Sequence, residues 1–220
     1  MLRAAWTILV VIALGPPGNA RAQATIEGAV RLPAPAAGAP PTARYQMKTS
    51  GGVDTSVTRR SVVFLEGNSI PAPADMPLVR MEQKNFQFNP RLLAIQRGTR
   101  VTFPNLDDDY HNVLSYSKAK EFDLGRYRKE ERSPTLAFDK AGVVELGCEI
   151  HEHMQATIIV LDTPYFTSTD TDGHYRLENL PAGKFTLKAW LNKKTTWSEP
   201  IELKSGQVLR VDFPPPAPPQ

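Results

Sequence analysis

The sequence is poor in cysteine, because Cys148 is the only one among its 220 residues. A single thiol cannot form a disulfide within the chain, so a disulfide-stabilised fold is excluded. Cys148 is therefore a buried apolar residue, a reactive thiol or a metal ligand. The chain also has no amphipathic stretch of helical length, and no stripe of basic and aromatic residues. These two absences argue against a helical bundle and against nucleic-acid binding.

Long apolar runs are absent except near the N-terminus, where the run is too short to span a membrane. Arg3 precedes the apolar residues 4–14, and small residues offer cleavage sites after Ala22 and after Ala24. This order is typical of an export signal. We predict that residues 1–24 are removed, that the mature chain has no membrane span and that it is periplasmic. Removal takes two arginines and no acid, which lowers the net charge from +3 to +1.

The single cysteine belongs to a compact group of potential metal ligands. Cys148, His151 and Met154 follow the pattern C-x2-H-x2-M. A thiolate and two imidazoles with a weak axial thioether form the blue-copper electron-transfer site. The second imidazole must come from elsewhere in the chain, and His111 is the candidate. His153 is a possible extra ligand, but it lies outside the every-third-residue register and is expected to point into solvent.

Other metal sites do not fit this stretch of sequence. A zincin helix needs H-E-x-x-H, and here Gln155 stands where the second histidine would be. A zinc finger or a redox C-x-x-C motif needs more than one cysteine. The pair Asp170 and Asp172 before Gly173 suggests calcium, but the first and twelfth ligands of an EF-hand loop are missing, so a hairpin turn is predicted. A structural cysteine beside surface histidines stays open as the alternative.

Residues 86–161 resemble the cupredoxin family of type 1 blue copper proteins. The resemblance is carried by Tyr-His-Asn-Val at 110–113 and by the C-x2-H-x2-M pattern. It implies a Greek-key β-sandwich that binds one copper ion through His111, Cys148, His151 and Met154. It further implies that the backbone N–H of Asn112 bonds the cysteine sulfur. In this family the second histidine lies at a surface where electrons enter or leave.

Short strands separated by Gly and Pro turns predict an all-β protein of two sandwiches. The first, residues 25–161, is the copper domain, and its N-terminal strand at 25–32 is possibly shared with the second. Residues 162–213 resemble the carboxypeptidase-regulatory-like (transthyretin-like) modules, through D-x-x-G-x-Y at 170–175 and L-P-x-G-x-F at 180–185. A Pro-rich tail at 214–220 follows. The highly charged residues 117–134 are expected to form a solvated loop, with a docking surface for a redox partner as the alternative.

These patterns favour a periplasmic one-electron carrier over an enzyme, because four protein ligands leave no open position for a substrate. Its partner would be a redox protein such as a c-type cytochrome or a periplasmic oxidoreductase. Two other classes stay open. One is a copper delivery or resistance protein, and the other is a metal-free adhesive or carbohydrate-binding sandwich.

Overall fold

The computed structural model describes residues 23–33, 60–67 and 76–216, and within these ranges the chain forms strands and no helix. Most of the predicted export signal, the Pro-rich stretch beyond residue 33 and the end of the tail lie outside the described residues. In the described ranges there is accordingly no helix long and apolar enough to cross a membrane. The prediction of an all-β fold is confirmed.

The strands are numbered in chain order. They are β1 (Ala24–Ala29), β2 (Val62–Glu66), β3 (Leu78–Arg80), β4 (Glu82–Gln83), β5 (Phe88–Asn89), β6 (Leu92–Gln96), β7 (Arg100–Thr102), β8 (Leu114–Ser117), β9 (Lys120–Asp123), β10 (Thr135–Ala137), β11 (Gly142–Gly147), β12 (Gln155–Leu161), β13 (Phe166–Ser168), β14 (His174–Leu180), β15 (Gly183–Asn192), β16 (Thr195–Leu203) and β17 (Val208–Arg210).

The first sandwich encloses the region that carries the predicted ligands. A five-stranded sheet in the order β6-β12-β11-β8-β9 shares one core with a three-stranded sheet in the order β10-β7-β3. Side chains alternate along β11, so one face of the strand packs into this core: Val144 and Leu146 are buried, and Glu145 between them is exposed. The small hairpin of β4 and β5 adds Phe88 to the same core.

The second sandwich combines the two ends of the described chain. One sheet has the order β13-β2-β15-β16, and the other has the order β14-β1-β17. Strand β1 pairs antiparallel with β14 and parallel with β17. Both β1 and β2 therefore hydrogen-bond to C-terminal strands, so the predicted division at residue 161 does not follow the sheets. The identity of this sandwich as a carboxypeptidase-regulatory-like module stays a prediction.

The two sandwiches are joined by a small apolar cluster of Val62, Phe64, Ile159 and Leu161. These residues come from β2 and β12, each of which has side chains in two cores. Strand β12 sends Ile158 into the first sandwich core and Ile159 into the joint. Burial on both faces explains why both strands are continuous apolar runs rather than alternating ones.

The prediction of a solvated loop over residues 117–134 is wrong for its first part. Residues 120–123 form β9, which pairs with β8 at the edge of the five-stranded sheet. Phe122 packs against the core, and its neighbours Glu121 and Asp123 are exposed. Charged side chains are common on edge strands because they discourage pairing with other molecules, and here they masked the strand in the sequence.

Candidate metal centre

Strand ends of the five-stranded sheet position the predicted ligands. Cys148 follows β11 directly, and His151 lies in the turn that leads to β12. The Cys148 N–H donates to the Met154 carbonyl at 3.2 Å, and the Met154 N–H donates to the His151 carbonyl at 2.8 Å. His111 precedes β8 and exchanges two backbone hydrogen bonds with Tyr127. Two separate stretches of backbone therefore meet at one end of the sandwich.

His111, Cys148 and His151 converge on one point. One ligand atom from each lies within 4.8 Å of the other two, and among the described residues no other group of histidine, cysteine and acidic side chains does this. The Nδ1 atoms of the two histidines are 3.0 Å apart, and Cys148 Sγ lies 3.7 Å from His151 Nδ1. All three side chains are buried, with at most 7% of any of them exposed.

The protein environment favours a thiolate at Cys148. Burial raises the pKa of this thiol, but hydrogen bonds from His111 and from the backbone of Asn112, Ile150 and His151 outweigh it and leave the pKa lowered. The Asn112 backbone, expected to bond the sulfur, is thus among the groups that lower this pKa. The Asn112 side chain also accepts a hydrogen bond from the Glu149 N–H at 2.7 Å, which ties the ligand turn to the strand carrying His111.

Asp107 is a functional residue that the motif did not identify. Its Oδ2 lies 2.9 Å from His111 Nε2, so the other ring nitrogen, Nδ1, is left to face the cluster. Burial lowers the pKa of His111, but hydrogen bonds to Asp107 and Cys148 raise it to about 9. Burial raises the pKa of Asp107, but hydrogen bonds from His111 and from the backbone of Phe86 and Asn85 outweigh this effect and leave the pKa lowered. The spacing of four residues between Asp107 and His111 was the available sequence signal.

Met154 is fully buried in the core of the first sandwich. Its backbone bond to Cys148 continues the β11–β12 ladder by one step, so the two residues face each other across the base of the ligand turn. Met154 therefore supplies a dry thioether at the base of the ligand turn, and a thioether is the usual weak axial donor of a blue-copper site.

The expectation that His153 points into solvent is wrong. Both of its ring nitrogens are buried, and its ring centroid lies 6.1 Å from that of His151. Burial lowers the pKa of His153, and an interaction with the Phe86 backbone opposes this shift. His153 is not part of the three-residue cluster. No local pattern around residue 153 predicts this burial.

The donor set fits copper better than the common alternatives. A thiolate, two imidazoles and a buried thioether are soft or intermediate donors, whereas magnesium and calcium require oxygen ligands. Ligation requires His111 and Cys148 to be free of protons at their ligating atoms, so binding of a metal would release protons. Asp107 would then keep His111 in the orientation that presents Nδ1.

Comparison with known proteins gave matches to solved structures alone. No family model matches the sequence, and no curated protein is significantly similar to it. A copper-containing nitrite reductase from Thermus scotoductus is 22% identical over 44% of this chain, with a TM-score of 0.37. That match spans 25% of the nitrite reductase, so this chain corresponds to about a quarter of its length.

Two smaller copper proteins match over almost their whole length. A purple cupredoxin from Nitrosopumilus maritimus is 21% identical, and the match covers 38% of this chain and 99% of that one, with a TM-score of 0.34. A methionine-to-alanine mutant of amicyanin in its Cu(I) form is 19% identical over 45% of this chain and 98% of that one, with a TM-score of 0.36.

Proposed function

We propose that this protein is an exported one-electron carrier with a single type 1 copper ion bound by His111, Cys148, His151 and Met154. The observation that carries the proposal is the buried cluster of two imidazoles around a cysteine whose pKa is lowered. This combination of donors is the one used by blue-copper electron-transfer sites.

The chain's own residues give such a centre a fixed geometry. Copper would supply the one-electron chemistry by alternating between Cu(II) and Cu(I). Asp107 orients His111, and Asn112 anchors the turn that carries Cys148 and His151. Rigid ligands suit electron transfer because little has to move when the charge on the metal changes. With all four positions filled by protein side chains, no position is open for a substrate, which favours a carrier over an enzyme.

Export to the periplasm agrees with this role. Strand β1 begins with the fully buried Ala24. Signal cleavage after Ala22 would leave the strand whole, whereas cleavage after Ala24 would remove its first residue. The electron partner in that compartment would be a c-type cytochrome or a periplasmic oxidoreductase, meeting the chain where His151 comes nearest to the surface.

The burial of the cluster also favours a carrier over a copper delivery protein. Delivery requires ligands that an incoming partner can reach, yet His111 is fully buried and Cys148 is 6% exposed. His153, the additional ligand that delivery would use, is also buried at its ring nitrogens. A metal-free adhesive sandwich would have no use for a thiol with a lowered pKa beside two histidines.

The test is the visible spectrum of the protein loaded with one equivalent of Cu(II). We expect an intense thiolate-to-copper charge-transfer band, which disappears in Cys148→Ser while far-ultraviolet circular dichroism remains that of a β-protein. Copper binding without the band would favour the delivery protein, and failure to bind copper would favour the adhesive sandwich. Val143→Ala, on the strand before the cysteine, serves as a control that should retain the band.

A further inference from the structure

The hairpin of β4 and β5 ends in an unusual turn. Lys84 and Gln87 exchange backbone hydrogen bonds of 2.9 and 3.2 Å, which leaves Asn85 and Phe86 as a two-residue loop. Both loop residues have positive φ values, 54° and 57°. This is the pattern of a type I′ turn, whose second position strongly favours glycine. A residue with a Cβ disfavours this backbone region, so other contacts must stabilise the conformation of Phe86.

One carboxylate holds both residues of this turn. Oδ1 of Asp107 accepts the Asn85 N–H at 2.7 Å, and Oδ2 accepts the Phe86 N–H at 2.9 Å. The same Oδ2 lies 2.9 Å from His111 Nε2. The Asp107 side chain is only 12% exposed, and its own N–H donates to Asn105 Oδ1 at 2.9 Å. The turn and the histidine are therefore fixed by the same side chain.

The ring of Phe86 lies against both histidines of the cluster. Its centroid is 5.4 Å from that of His111 and 5.0 Å from that of His151, and both contacts are edge-to-face. A strained residue thus brings an aromatic ring onto two ligands that lie 40 positions apart in the sequence. Backbone strain of this kind is found where a site needs a side chain in one exact place.

We propose that the Phe86 ring is a built-in cover of the metal centre and that Asp107 is the latch that holds the Asn85–Phe86 turn and His111 in one arrangement. Phe86 and Asp107 are positioning residues in this proposal. The ring keeps water from the two imidazoles and restricts their movement, so a bound metal leaves slowly. The effect of the cover on metal release rests on the copper function proposed above. The hydrogen bonds of the latch are present in the protein without metal.

The latch is tested in the metal-free protein by amide hydrogen exchange. Asp107→Asn removes a charged acceptor shared by two N–H groups. Because hydrogen bonds to charged groups are the stronger ones, exchange at Asn85 and Phe86 should become at least about tenfold faster. Asp108→Asn is the matched control, since the Asp108 side chain is 96% exposed and forms an ion pair with Lys129 at 3.5 Å. Unchanged exchange in Asp107→Asn would overturn the latch.

The cover is tested by the rate at which copper passes from the loaded protein to an excess of a chelator. Phe86→Gly removes the ring but suits the positive φ, so the hairpin should persist. We expect copper loss to be at least about tenfold faster, in line with the loss of two aromatic contacts and of water exclusion. Asn85→Gly, in the same turn, is the control and should lose copper at the wild-type rate.

The outcomes separate the cover from the proposed function. Wild-type rates of copper loss in Phe86→Gly would overturn the cover even if the thiolate-to-copper band is present. Absence of that band in the wild-type protein would overturn the copper function instead, while the hydrogen-exchange result would still decide the latch.

Discussion

The Nδ1 atom of His111 lies 3.0 Å from the Nδ1 atom of His151, and only one of the two can carry the proton between them. The Nε2 atom of His111 is engaged by Asp107 at the same time. In the metal-free site the imidazoles and the thiol therefore share protons. The pKa of His111 is raised to about 9, so this histidine stays protonated at neutral pH. A metal bound at this point would take the place of those shared protons.

The stability of the metal-free protein should reveal this sharing through its dependence on pH. The raised pKa of His111 stabilises the fold below pH 6.5, and this contribution is lost as the pH rises toward about 9. The lowered pKa of Cys148 acts in the opposite sense, because its contribution is present above 9.0 and is lost as the pH falls. In the wild-type protein the two contributions therefore change in opposite directions as the pH rises from 6.5 to 9.

Cys148→Ser separates the two contributions. The free energy of unfolding of this metal-free variant should fall as the pH rises from 6.5, because the His111 contribution is no longer opposed. The fall should end at a lower pH than in a protein with the thiol, since Cys148 is one cause of the raised pKa and only Asp107 remains. Urea unfolding at several pH values measures it. A variant whose stability does not fall as the pH rises from 6.5 would show that His111 is not protonated in the folded state. Cys148→Ser combined with Asp107→Asn should lessen the fall, since Asp107 is a cause of the raised pKa.

His111→Gly should open one equatorial position while leaving the ligand turn in place, because Cys148, His151 and Met154 belong to a separate stretch of backbone. Copper should bind more weakly, and the visible band should return when imidazole is added. Absorption spectroscopy with and without imidazole measures this. If the spectrum of His111→Gly were that of the wild type without imidazole, the second equatorial histidine would have to be another residue, with His153 the nearest choice.

Met154→Gln should retain copper and lower the reduction potential, because a weak thioether favours Cu(I) and an amide oxygen does not. His153→Ala should leave the electron paramagnetic resonance spectrum of the Cu(II) protein unchanged, since His153 lies outside the cluster. Voltammetry and paramagnetic resonance on both variants provide the measurement. A changed resonance in His153→Ala together with an unaltered potential in Met154→Gln would make His153 the fourth ligand.

Ile159→Ala should destabilise the whole protein, because Ile159 is 3% exposed and lies in the cluster that joins the two sandwiches. Loss of a buried isoleucine side chain typically costs about 2–5 kcal/mol. Chemical unfolding should show this cost in a single transition. Leu78→Ala, at a residue that is 60% exposed, should change stability by no more than about 0.5 kcal/mol. Two separate transitions in Ile159→Ala, one of them unshifted, would mean that the sandwiches unfold independently.

The ligand turn was accessible from sequence because its chemistry is local. Cys148, His151 and Met154 lie within seven residues, and only a tight turn between two strands can bring their side chains to one side. His111 was found because the thiolate pattern needs a second imidazole and the chain has only four histidines. The alternation of short strands and turns was likewise enough to predict an all-β protein.

The remaining features depend on contacts between distant parts of the chain. Phe86 reaches the cluster only because its turn adopts positive φ values, and Asp107 compensates for that strain from 21 positions away. The burial of the His153 ring nitrogens was also not predicted, because local register had placed them in solvent. The pairing of β2 with C-terminal strands was also not predicted, since an apolar strand does not specify its partner.

The most direct measurement of the central claim is voltammetry of the copper-loaded protein adsorbed on an electrode. A protein-bound copper ion held by His111, Cys148, His151 and Met154 should give one reversible one-electron couple that is absent from the metal-free protein and is lost in Cys148→Ser. A copper-loaded protein without a reversible couple, or one whose couple survives in Cys148→Ser, would contradict the assignment of this chain as an electron carrier.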